Sequence, residues 1–538
     1  MQIQHIATQP IANQQMGTSG LRRKVSEVTS TPHFMENFIQ AIFNAVDAKG
    51  KTFVVGGDGR YLNKPVLQLI LKMAIANGVK KLIVGQDGLF STPAVSCVIR
   101  KYKTDGGFIL SASHNPGGPK GDFGLKFDVE NGGPCPQEVS QRIYEHTQSL
   151  TEYVIADMPD IDVHTQQTQK FGDTEIAVID SIDDYVELMK ALFDFEQIRA
   201  LLASGFRMVY DAMNASTGPY ALRIFEQELG APKGTVHHAI PLEDFGGLHP
   251  DPNLTYARDL VEIMNGDKAP DFGAASDGDG DRNMILGPHF FVNPSDSLAV
   301  LLHYAVQRNP KGVVGVARSM PTSMAVDRAA KDLGLPVYET PTGWKFFGHL
   351  LDAGKITLCG EESFGTGSCH LREKDGLWAI LFWLSILAQT RQSVQAIVEE
   401  LWHNYGRSYQ MRYDFDGVDK QVADNMIKAL REKMPSLVGQ TFGRWHVKKA
   451  DDFAYTDPVT GEVTEHQGLR VVLNGGRLLC RLSGTGTQGA TVRVYVEGFE
   501  AEQVHQEPAD VLAPYMELAL SVFEVEKWTG RTQPSVIT

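Results

Sequence analysis

The stretch Leu110–Lys126, LSASHNPGGPKGDFGLK, joins side chains that could transfer a chemical group to a strong turn signal. Gly107–Leu110 is apolar and predicts a buried strand, and the NPGG that follows His114 is typical of a tight turn. We therefore expect Ser113 and His114 to be exposed on a loop at the strand end, with Lys126 near enough to supply a positive charge. An ordinary surface loop explains this stretch equally well, so the interpretation depends on the other loops.

Three aspartates, Asp277, Asp279 and Asp281, alternate with glycines in DGDGDR, directly after an apolar run. Glycine lets the backbone wrap so that all three carboxylates can face one hard cation. An EF-hand calcium loop is excluded because Arg282 stands where its glycine should be and Pro288 where its glutamate should be. The motif predicts a Mg²⁺ site, and the alternative is an acidic, solvated turn.

Two later loops carry groups suited to ligand recognition. GEESFG, residues 360–365, follows a predicted strand and places acids and a serine where a ligand rich in hydroxyls could bind. SGTGTQG, residues 483–489, matches GxGxxG, but a strand follows where a dinucleotide fold requires a helix. Its hydroxyls and free amides lie between Arg481 and Arg493, which predicts a phosphate-binding loop rather than a plain hairpin.

Two basic stretches could bind anions as well. Near the start, MGTSGLRRK (16–24) places glycines and hydroxyls just before three bases, which suits an anion or a solvated turn. HLREKDG (370–376) gathers further bases immediately before an apolar segment, Leu377–Ala388. That segment is too short to span a membrane and predicts a buried helix.

Strands alternating with helices must position these loops. The pattern predicts helices at 32–47, 183–193 and 295–307 and strands at 52–55, 81–84, 206–210, 312–317 and 356–359, with a helix starting at Ser91-Thr92-Pro93. Such alternation indicates α/β layers with ligands at the strand ends. Residues 157–172 are polar and weakly periodic. The last part is richer in strands, at 470–473, 477–482 and 490–497, and is followed by a helix at 509–522.

Composition limits the possible partners. The chain has 538 residues and a net charge of −15, which argues against nucleic acid or an anionic membrane. Its five cysteines form no CxxC pair, and the N-terminus shows no signal peptide, so we expect reduced thiols and a cytoplasmic location.

A serine beside a bound Mg²⁺ is well suited to carrying a phosphoryl group, because the ion stabilises both the phosphoryl oxygens and the serine oxygen as it leaves. A serine hydrolase fits less well, because Ser113 lacks a GxSxG elbow and acyl transfer has no use for three metal-binding aspartates.

The sequence resembles the α-D-phosphohexomutase superfamily, in particular its phosphoglucomutase branch. The similar motifs span nearly the whole chain: GTSGLR, SASHNPGG, GDFGLKF, DGDGDR, ETPTGWKFF, GEESFG, REKDGLWA, YGR and RLSGTGTQGATVR. The resemblance implies a heart-shaped α/β protein of four domains, three of them similar mixed-sheet α/β domains and the fourth a smaller, mobile α+β domain. We place these domains at 1–182, 183–292, 293–404 and 405–538.

The resemblance also implies an enzyme that interconverts α-D-glucose 1-phosphate and glucose 6-phosphate through phosphoserine and a glucose 1,6-bisphosphate intermediate. GEESFG and TGWKFF favour glucose over mannose or glucosamine phosphates, although a broad phosphoglucomutase/phosphomannomutase and a scaffold without catalysis stay open. A monomer or weak homo-oligomer is expected. The implied catalytic residues are Ser113, His114, Lys126, Arg22 and Lys374, and the implied metal ligands are Ser113, Asp277, Asp279 and Asp281. The implied substrate-binding residues are Thr18, Arg282, Thr342, Gly343, Trp344, Glu361, Ser363, Arg407, Arg481, Ser483, Gly484, Thr485 and Arg493.

Overall fold

The structure, a computed structural model, describes residues 2–483 and 489–538. The chain divides into two compact units. Unit 1 comprises Met1–Phe291 and Phe364–Val394, and unit 2 comprises Val292–Ser363 and Gln395–Thr538. Among the described residues, no helix has both the length and the apolar character that crossing a membrane requires.

The first sheet of unit 1 has seven strands of mixed direction. In spatial order they are Leu21–Lys24, Asp122–Val129, Gly106–Leu110, Thr52–Gly57, Lys81–Leu89, Thr174–Ile179 and Thr168–Phe171. Gly106–Leu110 is fully buried, Thr52–Gly57 is buried except at Thr52, and the two strands pair in parallel, as expected for a sheet covered by helices on both faces. The helices of this part are Val25–Ser30, Phe34–Ala45, Asn63–Ala76, Thr92–Tyr102 and Gln137–Ser149.

The second sheet of unit 1 has five strands, again of mixed direction. Their order is Val236–His237, Met208–Asp211, Phe272–Ala275, Met284–Gly287 and Phe290–Phe291. The accompanying helices are Asp183–Leu192, Phe195–Ala203, Thr217–Ala221, which continues as a π-helical turn over Leu222–Glu228, and Arg258–Met264. Gly376–Thr390 also belongs to unit 1, and it is buried from Gly376 to Ala388, which confirms the predicted core helix.

Unit 2 begins with parallel strands in the order Val337–Thr340, Val316–Ser319 and Leu358–Gly360. Its helices are Pro294–Arg308, Ala325–Asp332, Lys345–Asp352 and Val394–Tyr405. The strand predicted at 312–317 lies later in the chain, at Val316–Ser319. The polar Arg318 can lie in a buried strand because its guanidinium pairs with Asp327 and Glu339.

The C-terminal part of unit 2 is a seven-stranded antiparallel sheet. Its order is Thr441–Phe442, Trp445–Asp452, Leu469–Leu473, Gly476–Ser483, Ala490–Glu500, Arg407–Val418 and Val536–Ile537. The helices Lys420–Leu437 and Pro508–Val522 pack on one face and share one apolar core with it. The other face carries the charged side chains described below.

A short capping motif predicted a helix start more reliably than weak hydrophobic periodicity predicted a strand. The predicted helix start is confirmed, since Ser91 Oγ accepts a hydrogen bond from the Ala94 amide at the first turn of Thr92–Tyr102. The polar, weakly periodic stretch 157–172, for which the sequence predicts no element, ends in the edge strand Thr168–Phe171. The strand Glu152–Asp157 lies just before it and pairs with Gln2–Ala7.

Candidate active site

Ser113 lies just beyond the buried strand Gly106–Leu110, and its loop is held by a polar network. Its amide donates to Ser111 Oγ at 2.8 Å, and Ser111 Oγ donates to Asp58 Oδ2 at 2.7 Å. The carbonyl of Ser113 accepts from Arg60 Nη2 at 2.8 Å. Ser113 has a φ of 52°, which is unusual for a residue with a side chain and is maintained by these bonds.

The expectation that Ser113 is exposed is wrong, because only 2% of the residue is accessible. Two distant segments bury it. Arg60 bonds its carbonyl, and Gly278 packs so closely that a Cβ there would lie 2.4 Å from the same carbonyl oxygen. His114 is half-buried, and its Nδ1 lies 3.4 Å from Ser113 Oγ, a long hydrogen bond.

Asp277, Asp279 and Asp281 lie in the loop between the strands Phe272–Ala275 and Met284–Gly287, and all three are buried. One oxygen from each carboxylate lies within 4.8 Å of the others. Oδ1 of Asp279 and Oδ1 of Asp281 are buried with no hydrogen-bond partner among the described residues. Buried, unbonded carboxylate oxygens that converge in this way fit a metal ion.

The serine and the aspartates form one site. Ser113 Oγ donates to Asp277 Oδ2 at 2.8 Å. Asp277 Oδ1 accepts from the amides of Asp281 and Arg282, at 3.0 and 3.1 Å, which fixes the carboxylate in place. Burial, together with the charges of Asp281 and Asp279, raises the pKa of Asp277 above its usual range. A cation would offset this accumulation of negative charge.

Two lysines bring positive charge to the aspartates. Lys126 Nζ lies 2.5 Å from Asp279 Oδ2, and Lys374 Nζ lies 3.4 Å from Asp281 Oδ2. Burial opposes the charge of Lys126, yet Asp279 and Asp281 together hold its pKa above the usual range. Burial would also raise the pKa of Asp279, but Lys126 reverses the effect and holds it low. Lys126 is therefore charged at neutral pH.

Two arginines complete the basic groups. Arg282 Nη1 bonds to Asp251 at 3.0 Å, and its Nε lies 3.9 Å from Asp277. Arg22 is on the strand Leu21–Lys24, and its Nη1 is buried without a partner among the described residues. Burial lowers the pKa of Arg22, and the nearby Asp279 opposes the shift. Thr18 is exposed in the preceding turn.

Sequence reasoning missed three residues of this site. Asp58 and Arg60 form a fully buried ion pair, with Arg60 Nε 2.8 Å from Asp58 Oδ2, that supports the serine loop. Thr92 Oγ1 donates to Asp279 Oδ2 at 2.7 Å. The available signal was the pair of charges in GGDGR at the end of a buried strand.

Unit 2 carries the predicted sugar-recognition residues. Glu361 is 5% exposed, and its Oε1 accepts from the Gly343 amide at 3.0 Å, so the GEES and TGW loops are joined. Among the residues that the structure describes, Thr342 Oγ1 and Trp344 Nε1 are buried without hydrogen-bond partners. Ser363 is half-buried. Two unsatisfied donors beside a carboxylate suit a ligand with several hydroxyls.

The predicted phosphate residues Arg481 and Arg493 lie directly opposite each other on adjacent strands of the C-terminal sheet. Like charges in this arrangement repel, and a bound anion would remove the repulsion. Asp414 provides partial compensation at 3.4 Å from Arg493 Nε, and that Nε makes no hydrogen bond among the described residues. Ser483 is buried at the end of its strand. Gly484 and Thr485 lie outside the described residues.

Arg407 does not join that pair, contrary to expectation. It pairs with Glu500 at one end of the long strand Arg407–Val418, whereas Asp414, seven residues on, pairs with Arg493. At about 3.3 Å per residue, these positions are roughly 23 Å apart. The Arg407 guanidinium stacks between Trp402 and Tyr409, 3.8 and 4.1 Å from their ring centroids, and donates to the Val504 carbonyl. Aromatic stacking therefore accounts for its position.

Comparison with known proteins identifies the class. Profiles of the phosphoglucomutase/phosphomannomutase family match alpha/beta/alpha domain I at residues 13–154, domain II at 183–289 and domain III at 293–405. The profile of the Phosphoglucomutase-1 C-terminal domain matches residues 407–535. The chain belongs to the phosphoglucomutase/phosphomannomutase family, and the family confirms the expected fold of three α/β domains and a C-terminal domain.

Proteins named phosphoglucomutase are similar to this chain over its full length. The chain is 52% identical to a phosphoglucomutase of Rhizobium radiobacter over all of both chains, and 48% identical to human Phosphoglucomutase-1 over 99% of each. It matches the crystal structure of the Paramecium phosphoprotein parafusin, a phosphoglucomutase in its open form, with a TM-score of 0.91 and 46% identity. That match covers 100% of this chain and 99% of the other.

Proposed function

We propose that the chain interconverts α-D-glucose 1-phosphate and glucose 6-phosphate, with Ser113 carrying the phosphoryl group. The observation that carries this proposal is the 2.8 Å hydrogen bond from Ser113 Oγ to Asp277, which places the serine on the aspartate cluster. Family membership and relatives named phosphoglucomutase at about half identity support the same activity. The enzyme belongs to the isomerase class, as an intramolecular phosphotransferase.

The phosphoryl group moves twice in each turnover. In the first step the bond between phosphorus and Ser113 Oγ breaks, and a bond forms to the free hydroxyl of a glucose monophosphate, whose proton passes to the protein. This step yields glucose 1,6-bisphosphate. In the second step the bisphosphate is bound in the opposite orientation. The bond between its other phosphorus and the sugar oxygen breaks, that oxygen takes up a proton from the protein, and the phosphoryl group bonds to Ser113 Oγ. His114, Lys126 and Lys374 supply the proton transfer and positive charge, and Arg22 and Arg282 stabilise the reacting phosphate.

We assign the metal site to Mg²⁺, held by Asp277, Asp279, Asp281 and the Ser113 oxygen. Three protein carboxylates leave room for water and phosphoryl oxygens, as Mg²⁺ prefers, whereas Ca²⁺ takes more protein ligands. A bound Mg²⁺ would neutralise charge on the phosphoryl oxygens and on the departing serine oxygen. We expect Mn²⁺ to replace it in part and Ca²⁺ to support poor transfer.

The recognition residues of unit 2 complete the proposal. Glu361 and Ser363 bind sugar hydroxyls, the loop Thr342-Gly343-Trp344 contacts the sugar, and Arg481, Ser483 and Arg493 bind the phosphate that does not react. Gly484 and Thr485 stay assigned to that phosphate on sequence grounds alone. We also propose a cytoplasmic location, in line with relatives named cytoplasmic, although others are named chloroplastic. A monomer or weak homo-oligomer remains our expectation.

Intact mass spectrometry before and after addition of glucose 1,6-bisphosphate tests the proposal. One added phosphoryl group, mapped by peptide analysis to Ser113, is the expected result. The same protein should then convert glucose 1-phosphate to glucose 6-phosphate in a coupled assay, and mannose 1-phosphate in parallel reports sugar preference. A protein that takes up no phosphoryl group and shows no turnover would indicate a scaffold.

A further inference from the structure

Between the sugar-recognition loop and the phosphate-binding strands of unit 2 lies a short segment, Met320–Met324, that no part of the proposed reaction uses. It follows the buried strand Val316–Ser319 and precedes the helix Ala325–Asp332. Its residues touch both functional regions of the unit. Thr322 and Ser323 are buried polar residues within it: Thr322 Oγ1 accepts from the Glu362 amide, and the Ser323 amide donates to Ser295 Oγ.

The C-terminal sheet holds this segment through buried charges. Arg477, 2% exposed, donates from Nη1 to the Met320 carbonyl at 2.8 Å and from Nη2 to the Thr322 carbonyl. Its Nε donates to Glu497 Oε2 at 2.6 Å. Glu497 Oε1 in turn accepts from the Met324 amide at 2.9 Å. Two opposite charges therefore fix both ends of the segment, and neither charge remains unpaired.

Arg477 lies on the strand that carries Arg481. The two arginines are four residues apart in Gly476–Ser483, so they point to the same face of the sheet. The opposite strand repeats the arrangement, because Glu497 pairs with Arg477 and Arg493 pairs with Arg481. The contacts that hold the segment and the arginines that bind phosphate thus belong to the same two strands.

At its other side the segment holds the sugar loop. The Glu362 amide donates to Thr322 Oγ1 at 2.9 Å. The Glu362 carboxylate accepts from Ser319 Oγ at 3.1 Å, and Ser319 Oγ and Thr322 Oγ1 are 2.7 Å apart. Glu362 lies directly between Glu361 and Ser363, the residues assigned to the sugar hydroxyls. A shift of Thr322 would therefore move both recognition residues.

We propose that Thr322 and Glu362 are positioning residues, which fix the distance between the hydroxyl-binding loop and the phosphate-binding arginines and so select ligands that carry a phosphate on a hexose-sized body. This inference rests on the proposed function. A rigid spacing lets one ligand satisfy both regions without a cost for ordering them separately. Glu362 also acts on Arg493 directly: burial would lower the pKa of that arginine, but Asp414, Tyr495 and, to a lesser extent, Glu362 hold it above its usual range.

The test compares a two-ended ligand with a one-ended ligand. Thr322→Val keeps the shape but removes the hydroxyl that accepts from the Glu362 amide, and Thr322→Ser keeps the hydroxyl. The ligands are glucose 6-phosphate, measured by calorimetry and as KM, and inorganic phosphate, measured by calorimetry with the same Mg²⁺. Thermal melting of each variant reports whether it folds.

We expect Thr322→Val to weaken glucose 6-phosphate binding about tenfold, the loss of one hydrogen bond and of preorganisation, while inorganic phosphate binding changes less than twofold. KM should rise more than kcat falls, and Thr322→Ser should restore the affinity. Glu362→Gln keeps the backbone amide that donates to Thr322 and should give an intermediate loss of glucose 6-phosphate affinity. The double variant with Thr322→Val should lose less binding free energy than the sum of the two single losses.

Equal losses for both ligands, or no loss for glucose 6-phosphate, would overturn the coupling. If Thr322→Val fails to fold, Glu362→Gln carries the same comparison of the two ligands, and unchanged sugar phosphate binding there would reject the proposal. Turnover by the wild-type protein distinguishes a failure of this inference from a failure of the proposed function. An active wild type without coupling contradicts this inference alone, whereas a wild type that neither binds nor converts glucose 6-phosphate removes the proposed function and the inference with it.

Discussion

The functional groups of the two units are held in different ways. In unit 1, Ser113 and the three aspartates are at most 2% exposed, and the charges around them are matched by Lys126, Lys374 and Arg282. In unit 2, Thr342, Trp344 and Arg493 keep donors without partners among the described residues, and Arg481 faces another arginine.

The difference suits the two tasks. Reacting atoms must return to one geometry in every turnover, so a preorganised, buried network favours them. Under the proposed function, the recognition groups accept a bisphosphate in two orientations, so we infer that their bonding capacity is kept for the ligand. Unit 1 also keeps unbonded groups among the described residues: oxygens of Asp279 and Asp281, which belong to the proposed metal site, and Nη1 of Arg22, which is proposed to stabilise the reacting phosphate.

The largest effect should come from Ser113→Ala, because no other hydroxyl can carry the phosphoryl group. We expect turnover and phosphoryl uptake to disappear while circular dichroism stays normal, since the loss is limited to the hydrogen bond to Asp277, worth about 1 kcal/mol, and the long one with His114. Ser111→Ala is the matched control, which should still take up a phosphoryl group because Ser113 is intact. Turnover close to wild type in a folded Ser113→Ala protein would contradict the fixed reaction centre of unit 1.

Asp279→Asn should have the second largest effect on activity. It removes one of three charges at the metal site and the partner of Lys126, and a loss of several kcal/mol in transition-state stabilisation corresponds to about 10³-fold in kcat. Activity is measured against added Mg²⁺ after chelation. Asp267→Asn makes the same change on the exposed surface and should leave the Mg²⁺ dependence unaltered. Full activity of chelated wild-type protein without metal would show that DGDGDR is not a metal site.

Glu361→Gln tests the recognition side with a smaller change. Glutamine can still accept from the Gly343 amide, but it loses the charge, which weakens hydrogen bonds worth roughly 1.5–3 kcal/mol each. The corresponding loss is about 10- to 150-fold. The measurement is single-turnover transfer from phosphorylated Ser113 to glucose 1-phosphate and, separately, to glucose 6-phosphate. Similar slowing with both sugars is expected, and slowing with only one would mean that Glu361 binds a single orientation.

The smallest effect concerns stability at a buried carboxyl outside both sites. Burial raises the pKa of Asp296 to about 6, although Trp402 Nε1 donates to it at 3.0 Å. A pKa above the usual value means that ionisation costs stability. The cost is absent below about pH 4, grows as pH rises through 6 and amounts to roughly 3 kcal/mol above it. Asp296→Asn should therefore raise Tm more at pH 8 than at pH 4.5, and an equal change at both values would contradict the shift.

The sequence predicted the reacting residues better than their surroundings. Motifs with fixed spacing, such as DGDGDR, act locally, so the grouping of three carboxylates could be predicted without the fold. The burial of Ser113 could not, because it depends on Arg60 and on Gly278, residues far away in the chain. The prediction that Arg407 lies with Arg481 and Arg493 failed for a similar reason. A YGR motif does not reveal that seven residues of extended strand separate Arg407 from Asp414, which pairs with Arg493.

Elements followed the same rule. The helix at Thr92 begins at a capping serine and a proline, which act within one turn. The strand Val316–Ser319 includes Arg318, whose burial depends on acids nine and twenty-one residues later, so composition alone placed the strand too early. The four domain boundaries remain a prediction, as does the mobility of the last domain.

The burial of Ser113 also affects how long a phosphoryl group would remain on this serine. A phosphoryl group on a side chain that solvent barely reaches is poorly accessible to water as a competing acceptor, so idle hydrolysis should be slow compared with transfer to a sugar. Under the proposed function, glucose 1,6-bisphosphate would then be needed only rarely, to phosphorylate again those enzyme molecules that have lost the phosphoryl group. The lifetime of phosphorylated Ser113 would then depend on the loop geometry that Asp58 and Arg60 maintain. These two residues take no part in the transfer itself.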